Sequence, residues 1–393
     1  MLRDTQLIVL LITGSLTVMA GGVIAPILPE LILNLDIDPS VGSSLVSLHF
    51  LTVALATPVL GILADRSGQL PILVCSLVAY AGFGMAGGLV QTLLPLMILR
   101  GLLGVASGGI AAAGLGLLGK LYTGEARVQA IAYVASALTL ANIIYPLLGG
   151  WVGSIHWRLV FGLYGISIPL AIWSVVALRK THSKREQAEE ASSFLGESQH
   201  IRQVLTRPVT LFLLLTLSVA SGTVYAVVAY LPLYLRLNFG AGTTLIGIVL
   251  AIQAVGAVLS SAFGMRLLTK RFGAVGAIAM GLGLMATMLA LFPAPEQLYG
   301  LYVISILFGL GFGLVVPSLY NALADLAGEN TQSSILAAGT GAGFLGQFLS
   351  PILLGVVLRS RDLPDVFYMA AIVDLAAGLL LILVMKQRAR PVD

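Results

Sequence analysis

Four ionisable side chains stand inside or at the edge of long apolar stretches, where a charge requires a particular reason. Arg100 lies about eight residues into one stretch, His49 and Asp374 lie well inside two others, and Glu30 lies near the end of the first. Carboxyl groups and imidazole can exchange protons, and the unperturbed pKa of histidine, about 6.5, suits that task. Arginine stays charged and binds anions or carbonyl oxygens. Glu30, His49 and Asp374 are therefore candidates for proton coupling, and Arg100 is expected to face a polar cavity or a partner group rather than lipid.

Each of these positions also has a structural interpretation. Arg100 could be held by hydrogen bonds to buried carbonyls, and Glu30 could lie at the water interface. His49 could be a hydrogen-bonded packing residue, and Asp374 could be one partner of a buried pair. Three amide side chains could either bind a substrate in a cavity or join two helices. They are Asn142, Gln253 and Gln347.

The amino-acid composition indicates the class of protein in which these residues lie. Of 393 residues, 58% are hydrophobic and only 10% are charged, and the mean hydropathy is +1.01. A soluble fold of this size could not hide so much apolar surface, because surface-to-volume scaling leaves too much of it in water. This excludes a disordered chain, a disulfide scaffold, a nucleic-acid-binding domain and a water-soluble enzyme. We therefore expect an all-α membrane protein.

Twelve apolar segments are long enough to cross a bilayer, since a spanning helix needs about 17–25 residues. The first segment is too long for a signal peptide and carries Pro26 and Pro29 near its end. The segments are approximately 7–33, 42–64, 70–90, 93–118, 127–153, 158–178, 208–235, 242–264, 274–293, 298–323, 331–358 and 365–385.

The basic residues predict how these helices are oriented. Placing both termini in the cytoplasm puts 16 of the 21 Lys and Arg residues on that side, four outside and Arg100 within a helix. This asymmetry follows the positive-inside rule. It is typical of a bacterial inner (plasma) membrane, although a eukaryotic membrane is also compatible with it.

The longest polar stretch, 179–207, divides the chain into two halves. It mixes basic and acidic residues without an apolar period, which indicates a solvated cytoplasmic linker, with a partner-binding patch as the alternative. We therefore predict an N-terminal six-helix bundle at 1–178 and a C-terminal one at 208–393. An offset of 205 relates the halves. It maps Arg66 onto Arg271, Gly68 onto Gly273, Asn142 onto Gln347 and Pro146 onto Pro351. Parallel repeats of this kind place a substrate path where the repeats meet.

A short polar turn follows the second apolar segment, in the sequence Gly-Ile-Leu-Ala-Asp-Arg-Ser-Gly from residue 61. Gly61 permits close helix approach, and Gly68 permits a positive φ. Asp65 could stabilise a helix N-terminus, and Arg66 could pair with a carboxylate or with C-terminal carbonyls. A simple polar anchor at the headgroups is the alternative.

This turn resembles the signature loop of the major facilitator superfamily, roughly G-x-L-x-D-R-x-G-r-k, with departures at Gln69 and Leu70. The resemblance covers almost the entire chain, because the helix number, central linker and half repeat also fit. It implies two pseudo-symmetric six-helix bundles, and it implies that Asp65 and Arg66 belong to a cytoplasmic gating loop that latches the halves.

Two further helices resemble motifs of the same superfamily. In the fourth segment Arg100 is followed by Gly104 and Gly108, and the resemblance associates this arginine with proton coupling. The fifth segment resembles the antiporter motif, roughly G-x-x-x-G-P-x-x-G-G. Its Pro146, Gly149 and Gly150 match, whereas Ala141 and Tyr145 replace the first two glycines.

The resemblance therefore points to the twelve-helix drug:proton antiporter branch. It implies export of a small amphipathic or hydrophobic compound against protons by alternating access. Uptake or facilitated transport of a sugar, organic anion or other metabolite is the alternative, and an enzyme or receptor is a third. We expect no catalytic residues, metal or cofactor, because a G-x-G-x-x-G at residue 114 follows no strand and no P-loop lysine or zinc-ligand pattern occurs. The expected partners are the substrate and the bilayer, without nucleic acid, and the expected state is a monomer.

Overall fold

The computed structural model describes residues 4–182, 204–326 and 332–388. Within these residues, twelve helices are long and apolar enough to cross a membrane. They are α1 (Thr5–Asn34), α2 (Pro39–Ser67), α3 (Gln69–Ala86), α4 (Leu93–Leu121), α5 (Gly124–Ile155), α6 (Leu159–Arg179), α7 (Pro208–Phe239), α8 (Thr243–Gly264), α9 (Leu267–Leu291), α10 (Leu298–Leu326), α11 (Ser334–Ser360) and α12 (Leu363–Val384). The prediction of an all-α protein with twelve spanning helices is confirmed.

The chain forms two compact units. The first comprises Met1–Glu189 and Leu235–Ile248, and the second comprises Glu190–Tyr234 and Val249–Asp393. The end of α7 and the beginning of α8 therefore belong with the first unit. The domain boundaries at 178 and 208 stay a prediction, and most of the linker predicted at 179–207 lies outside the described residues.

Two prolines shape the end of α1. A regular helix covers Thr5–Gly22, a 3₁₀ turn covers Ala25–Ile27, and a second regular helix covers Leu28–Asn34. Each of the last two has a proline in its first two positions, where the missing N–H would lack a helical partner in any case. The interruption places Glu30 in the first turn of the last helix.

The turns after α2 and within the start of α9 repeat one another. Gly68 has φ 96° and ψ 142°, and Gly273 has φ 74° and ψ 170°. Glycine takes such a conformation without the steric cost that a Cβ brings. The expectation that Gly68 turns at positive φ is confirmed, and the residue 205 positions later adopts nearly the same backbone conformation.

Glycines on α4 allow it to pack tightly on α2. A Cβ at Gly104 would collide with the Thr52 side chain and the His49 backbone, and a Cβ at Gly108 would lie 3.1 Å from the Thr57 nitrogen. Small residues one turn apart permit this close approach of two membrane helices. The packing brings the middle of α2 next to Arg100.

Candidate functional site

Arg100 is buried inside the first unit, with 3% of its surface exposed. Its Nε donates to the Leu45 carbonyl of α2 at 3.1 Å, and its Nη1 donates to the Tyr164 hydroxyl of α6 at 3.0 Å. Its Nη2 is buried and has no hydrogen-bond partner among the described residues. A guanidinium in a membrane interior is costly unless such groups solvate it. Arg100 therefore joins three helices while one donor stays available.

Tyr164 extends this connection to α1. Its hydroxyl accepts from Arg100 and donates to the Ala20 carbonyl at 2.9 Å. The ring makes an edge contact with Tyr80, whose hydroxyl donates to the Leu16 carbonyl at 2.6 Å. One buried network of side chains thus ties α1, α2, α3, α4 and α6 together.

His49 lies on α2 beside this network and is 1% exposed. The Arg100 guanidinium is close enough to act on it electrostatically, and the Val46 carbonyl one turn away is its neighbouring polar group. Neither imidazole nitrogen makes a hydrogen bond of ordinary geometry within the described part of the chain. His49 therefore lies beside Arg100, and its role in proton coupling stays a prediction.

The motif of α5 lies directly against α1. A Cβ at Gly149 would lie 2.6 Å from the Val23 Cα, and a Cβ at Gly22 would lie 3.1 Å from the Tyr145 Cβ. The hydroxyls of Ser15 and Tyr145 form a hydrogen bond of 2.8 Å. Tyr145, which replaces a glycine of the motif, thus provides a polar contact between the two helices.

The other glycine of the motif, Gly150, contacts the first turn of α8 within the first unit. Its carbonyl accepts from the hydroxyls of Thr243 at 2.9 Å and Thr244 at 3.3 Å. A Cβ at Gly150 would lie 2.6 Å from the Thr243 carbonyl oxygen. These contacts need both a glycine on α5 and hydroxyl groups on α8.

Glu30 forms an ion pair near this contact. Its Oε1 lies 3.1 Å from Nη2 of Arg236, and the two side chains are 27% and 35% exposed. A cleft of about 450 Å³ lies beside them, lined by Glu30, Asn34, Gly153–Trp157 and Gly242–Thr244. Both side chains are thus partly exposed, and the interfacial position of Glu30 and its role in coupling stay predictions.

An apolar cavity of about 110 Å³ opens among α1, α4 and α5. Its wall consists of aliphatic residues and glycines with a single hydroxyl. The residues are Leu10, Gly14, Thr17, Ile110, Ala111, Gly114, Leu115, Leu118, Val134 and Leu138. The G-x-G-x-x-G run that begins at Gly114 therefore contributes to a cavity wall on a membrane helix.

Asp374 of α12 is fully buried in the second unit. Its Oδ1 lies 2.7 Å from the Thr223 hydroxyl of α7, and its Oδ2 has no hydrogen-bond partner among the described residues. Its polar contact within the described chain is thus a neutral hydroxyl, and the choice between a proton carrier and a buried pair partner stays a prediction.

The three amide candidates differ in burial and in hydrogen bonding. Gln253 on α8 is 6% exposed, and its Oε1 is buried without a partner in the described part of the structure, as is Oε1 of Gln347 on α11. Asn142 is exposed and its Nδ2 donates to the Leu138 carbonyl of its own helix at 2.9 Å. The two glutamines thus keep acceptors available, and the role of all three stays a prediction.

The turn after α2 is arranged around Gln69. This residue is 4% exposed and donates from its Nε2 to Oδ1 of Asp65 at 2.8 Å. Its side chain fills the space beside Gly116 of α4, whereas Arg66 is exposed at the end of α2. At this departure from the signature pattern, an uncharged amide therefore donates to Asp65 where the pattern has a basic residue.

Several residues of these sites were not identified from the sequence. Tyr164, Thr223 and Thr243 are polar residues in or next to apolar runs, and that is the only signal the sequence offers for them. Their partners are between about 90 and 150 positions away in the chain, so that nothing local in the sequence pairs them.

A model of the Major Facilitator Superfamily matches this chain over residues 10–351 and, in a second match, over residues 229–392. The chain belongs to the Major Facilitator Superfamily. The expectation drawn from the signature loop and the helix-four motif is thereby confirmed. This superfamily member is an integral, multi-pass membrane protein and a transporter.

Relatives of similar length support this placement. Multidrug resistance protein 1 of Bacillus subtilis (strain 168) is 23% identical over 390 residues, which cover 98% of each chain. Quinolone resistance protein NorA of Staphylococcus aureus (strain MSSA476) is 24% identical over 392 residues, covering 98% of this chain and 97% of NorA. The crystal structure of a bacterial homologue of the human lysosomal transporter Spinster has a TM-score of 0.80 at 15% identity, covering 97% of this chain and 95% of that chain. The last comparison shows the shared fold.

Proposed function

We propose that this protein exports small amphipathic or hydrophobic, drug-like compounds in exchange for protons, by alternating access. The observation that carries the proposal is the apolar cavity among α1, α4 and α5. Apolar walls with few polar groups are typical of sites for hydrophobic ligands. The full-length relatives named for drug and quinolone resistance support the same substrate class.

The volume of the cavity limits what it can bind. About 110 Å³ is smaller than the roughly 300–1,000 Å³ of a typical drug-sized site. The cavity accommodates one apolar group of a substrate. The candidates for polar contacts with a substrate stay Asn142 in the first unit, and Gln253 and Gln347 in the second, whose buried Oε1 atoms lack described partners.

Uptake of an organic anion fits the structure less well. That alternative relied on Arg100 as the anion-binding group. Arg100 is almost fully buried and two of its nitrogens already bond to Leu45 and Tyr164. This position favours a role in holding α2, α4 and α6 together. Its Nη2 would be the group that remains to form a hydrogen bond during proton coupling.

Proton exchange requires a group whose protonation differs between the two access states, and a substrate that binds those states differently. The middle of α1, from residue 11 to 25, contains no acidic residue. The candidates are therefore Glu30, His49 and Asp374. The glycine faces of α5 and α11 would be the sliding surfaces, and the loop with Gly61, Asp65, Arg66 and Gly68 would be a cytoplasmic gate. The protein would act as a monomer in a bacterial plasma membrane, with both termini inside.

The test is an efflux screen in a drug-sensitive bacterial host that lacks its own exporters. Expression is expected to raise tolerance to several lipophilic compounds in a chemically varied panel. Gly114→Leu should lower tolerance to the bulkier compounds, because the new side chain enters the cavity, where no described atom lies within 4 Å of a Cβ. Gly82→Leu on α3 is the matched control, since its Cβ also meets open space but lies outside the cavity.

Two results would contradict the proposal. If expression of the wild type leaves tolerance to every compound unchanged, the proposal of drug export is contradicted. If Gly114→Leu gives the same tolerance to each compound as the wild type, the cavity does not contact the substrate. Arg100→Ala, included in the same screen, tests whether Arg100 takes part in transport at all.

A further inference from the structure

The contact between Asp374 and Thr223 contains more acceptors than a single hydroxyl proton can satisfy. The Thr223 hydroxyl lies 2.7 Å from Oδ1 of Asp374 and 2.6 Å from the carbonyl oxygen of Val219, one turn earlier on α7. A threonine hydroxyl has one proton to donate, and the carbonyl can only accept. Both short distances are therefore hydrogen bonds only if one more proton is present.

A proton on Asp374 completes the arrangement. The neutral carboxyl group then donates from Oδ1 to the Thr223 oxygen, and Thr223 donates to the Val219 carbonyl. An ionised carboxylate would instead leave the one hydroxyl proton of Thr223 shared between two acceptors, Oδ1 of Asp374 and the Val219 carbonyl oxygen. It would also leave Oδ2 charged and buried with no described partner, which is costly in a membrane interior.

Among the side chains that the structure describes, none supplies a compensating charge to Asp374. The helices packed around it are α7, α9 and α11. The titratable and charged residues on these helices, the turn before Gly273 and α12 itself are Tyr225, Tyr230, Tyr234, Arg236, Arg266, Lys270, Arg271, Arg359, Asp365, Tyr368, Lys386 and Arg388. Among those that the structure describes, none acts on the Asp374 carboxyl, whose environment is set by burial and by Thr223.

We propose that Asp374 is the proton-carrying group of the transport cycle and that the structure shows its protonated state. This assignment rests on the proposed exchange of substrate for protons and adds the site to it. On release, the O–H bond of the carboxyl group breaks and a water molecule accepts the proton, leaving a carboxylate. Within the described structure that carboxylate has the Thr223 hydroxyl as its donor, and Thr223 must give up its hydrogen bond to the Val219 carbonyl to donate to it.

The contact couples the proton to α7. Losing the proton reverses this hydrogen bond, because Thr223 must then donate to Asp374 instead of to the Val219 carbonyl. The buried Oδ2 of the ionised group gains hydration only if α12 and α7 separate locally. A protonation change on α12 therefore alters how α7 packs against it, and Asp374 needs no direct contact with the substrate.

The test measures proton release from the purified full-length protein in weakly buffered detergent solution, with a pH-indicator dye. The probe substrate is a lipophilic compound to which expression confers tolerance. The wild type should release protons on substrate addition, and Asp374→Asn should release none while still binding the compound. The carboxamide is neutral and of equal size, so it imitates the protonated state. Asp365→Asn is the matched control, because it makes the same change on the same helix at a partly exposed position, and it should release protons like the wild type.

In liposomes, Asp374→Asn should still exchange labelled for unlabelled substrate but should lose accumulation driven by a pH gradient. A second pair of variants leaves the carboxyl group in place. Thr223→Val should shift the pH at which proton release is half-maximal. Thr287→Val, at an exposed hydroxyl of α9 that bonds only to its own helix in the described structure, should leave that pH unchanged.

The outcomes separate the two proposals. A wild type that neither releases protons nor responds to a pH gradient contradicts the proposed antiport. A wild type that does both, with Asp374→Asn behaving identically, overturns only the assignment of Asp374. If Asp374→Asn does not fold, an unchanged pH of half-release in Thr223→Val overturns the assignment instead.

Discussion

Replacing Gly149 by alanine tests whether α1 and α5 are packed backbone to backbone. A Cβ at this position would lie 2.6 Å from the Cα of Val23 and 2.8 Å from its carbonyl carbon. Non-bonded carbons rest at about 3.5–4.0 Å, so that the helices must separate by about 1 Å. The obstacle is backbone and cannot rotate aside, as a flexible side chain could.

The expected cost follows from this overlap. Overpacking a well-packed interior destabilises by about 1–3 kcal/mol. Gly82→Ala on α3 is the matched control, because it is also a glycine-to-alanine change inside a helix but meets no described atom within 4 Å. Both variants gain the same helix propensity, up to about 1 kcal/mol, which therefore cancels in the comparison. Gly149→Ala should be less stable than the control by about 1–3 kcal/mol.

The assay is unfolding of the two purified variants in the same detergent, followed by circular dichroism and by loss of substrate binding. The export rate of each variant is measured in the same cells. Gly149→Ala should unfold at a lower temperature than Gly82→Ala and should export more slowly. Equal unfolding midpoints for the two variants would refute the close packing of α1 on α5.

Three further predictions concern polar contacts of the first unit. Tyr164→Phe should destabilise the protein by about 1.5–3 kcal/mol in unfolding experiments, because it leaves a buried guanidinium donor unpaired; stability equal to the wild type would contradict this. Burial and the neighbouring Asp4 raise the pKa of Tyr122, so that folding favours its neutral form; thermal stability should fall above about pH 10, and it should fall less in Tyr122→Phe. A double-mutant cycle with Glu30→Gln and Arg236→Gln should give a coupling free energy below about 1 kcal/mol that decreases with salt, and a larger, salt-independent coupling would show that the pair is desolvated.

The positions of the helices could be predicted from the sequence for a simple physical reason. A bilayer demands long, uninterrupted apolar runs, and turns between them need polar residues or glycine. The predicted start of the ninth segment at 274 coincides with the backbone break at Gly273. The same reasoning placed a positive φ at Gly68, because a turn this short leaves few other solutions.

The pairing of polar side chains could not be predicted in the same way. The two groups that hold Arg100 come from α2 and α6, more than 50 residues away on each side. Hydrophobic periodicity indicates little about which face of a helix meets which neighbour when nearly every residue is apolar. Asp374 was recognisable as unusual, whereas its partner Thr223 was one of many hydroxyls, and the departure at Gln69 gave no sign that it bonds to Asp65.

The most direct test of proton-coupled export uses inside-out vesicles that contain the full-length protein, with a fluorescent lipophilic dye or a quinolone as the probe. With an acidic interior, vesicles with the protein should accumulate the probe faster than vesicles without it. Collapse of the pH gradient by an ionophore should abolish the difference. Accumulation that is unaffected by the ionophore would contradict antiport, and equal accumulation with and without the protein, for every probe in the panel, would contradict export.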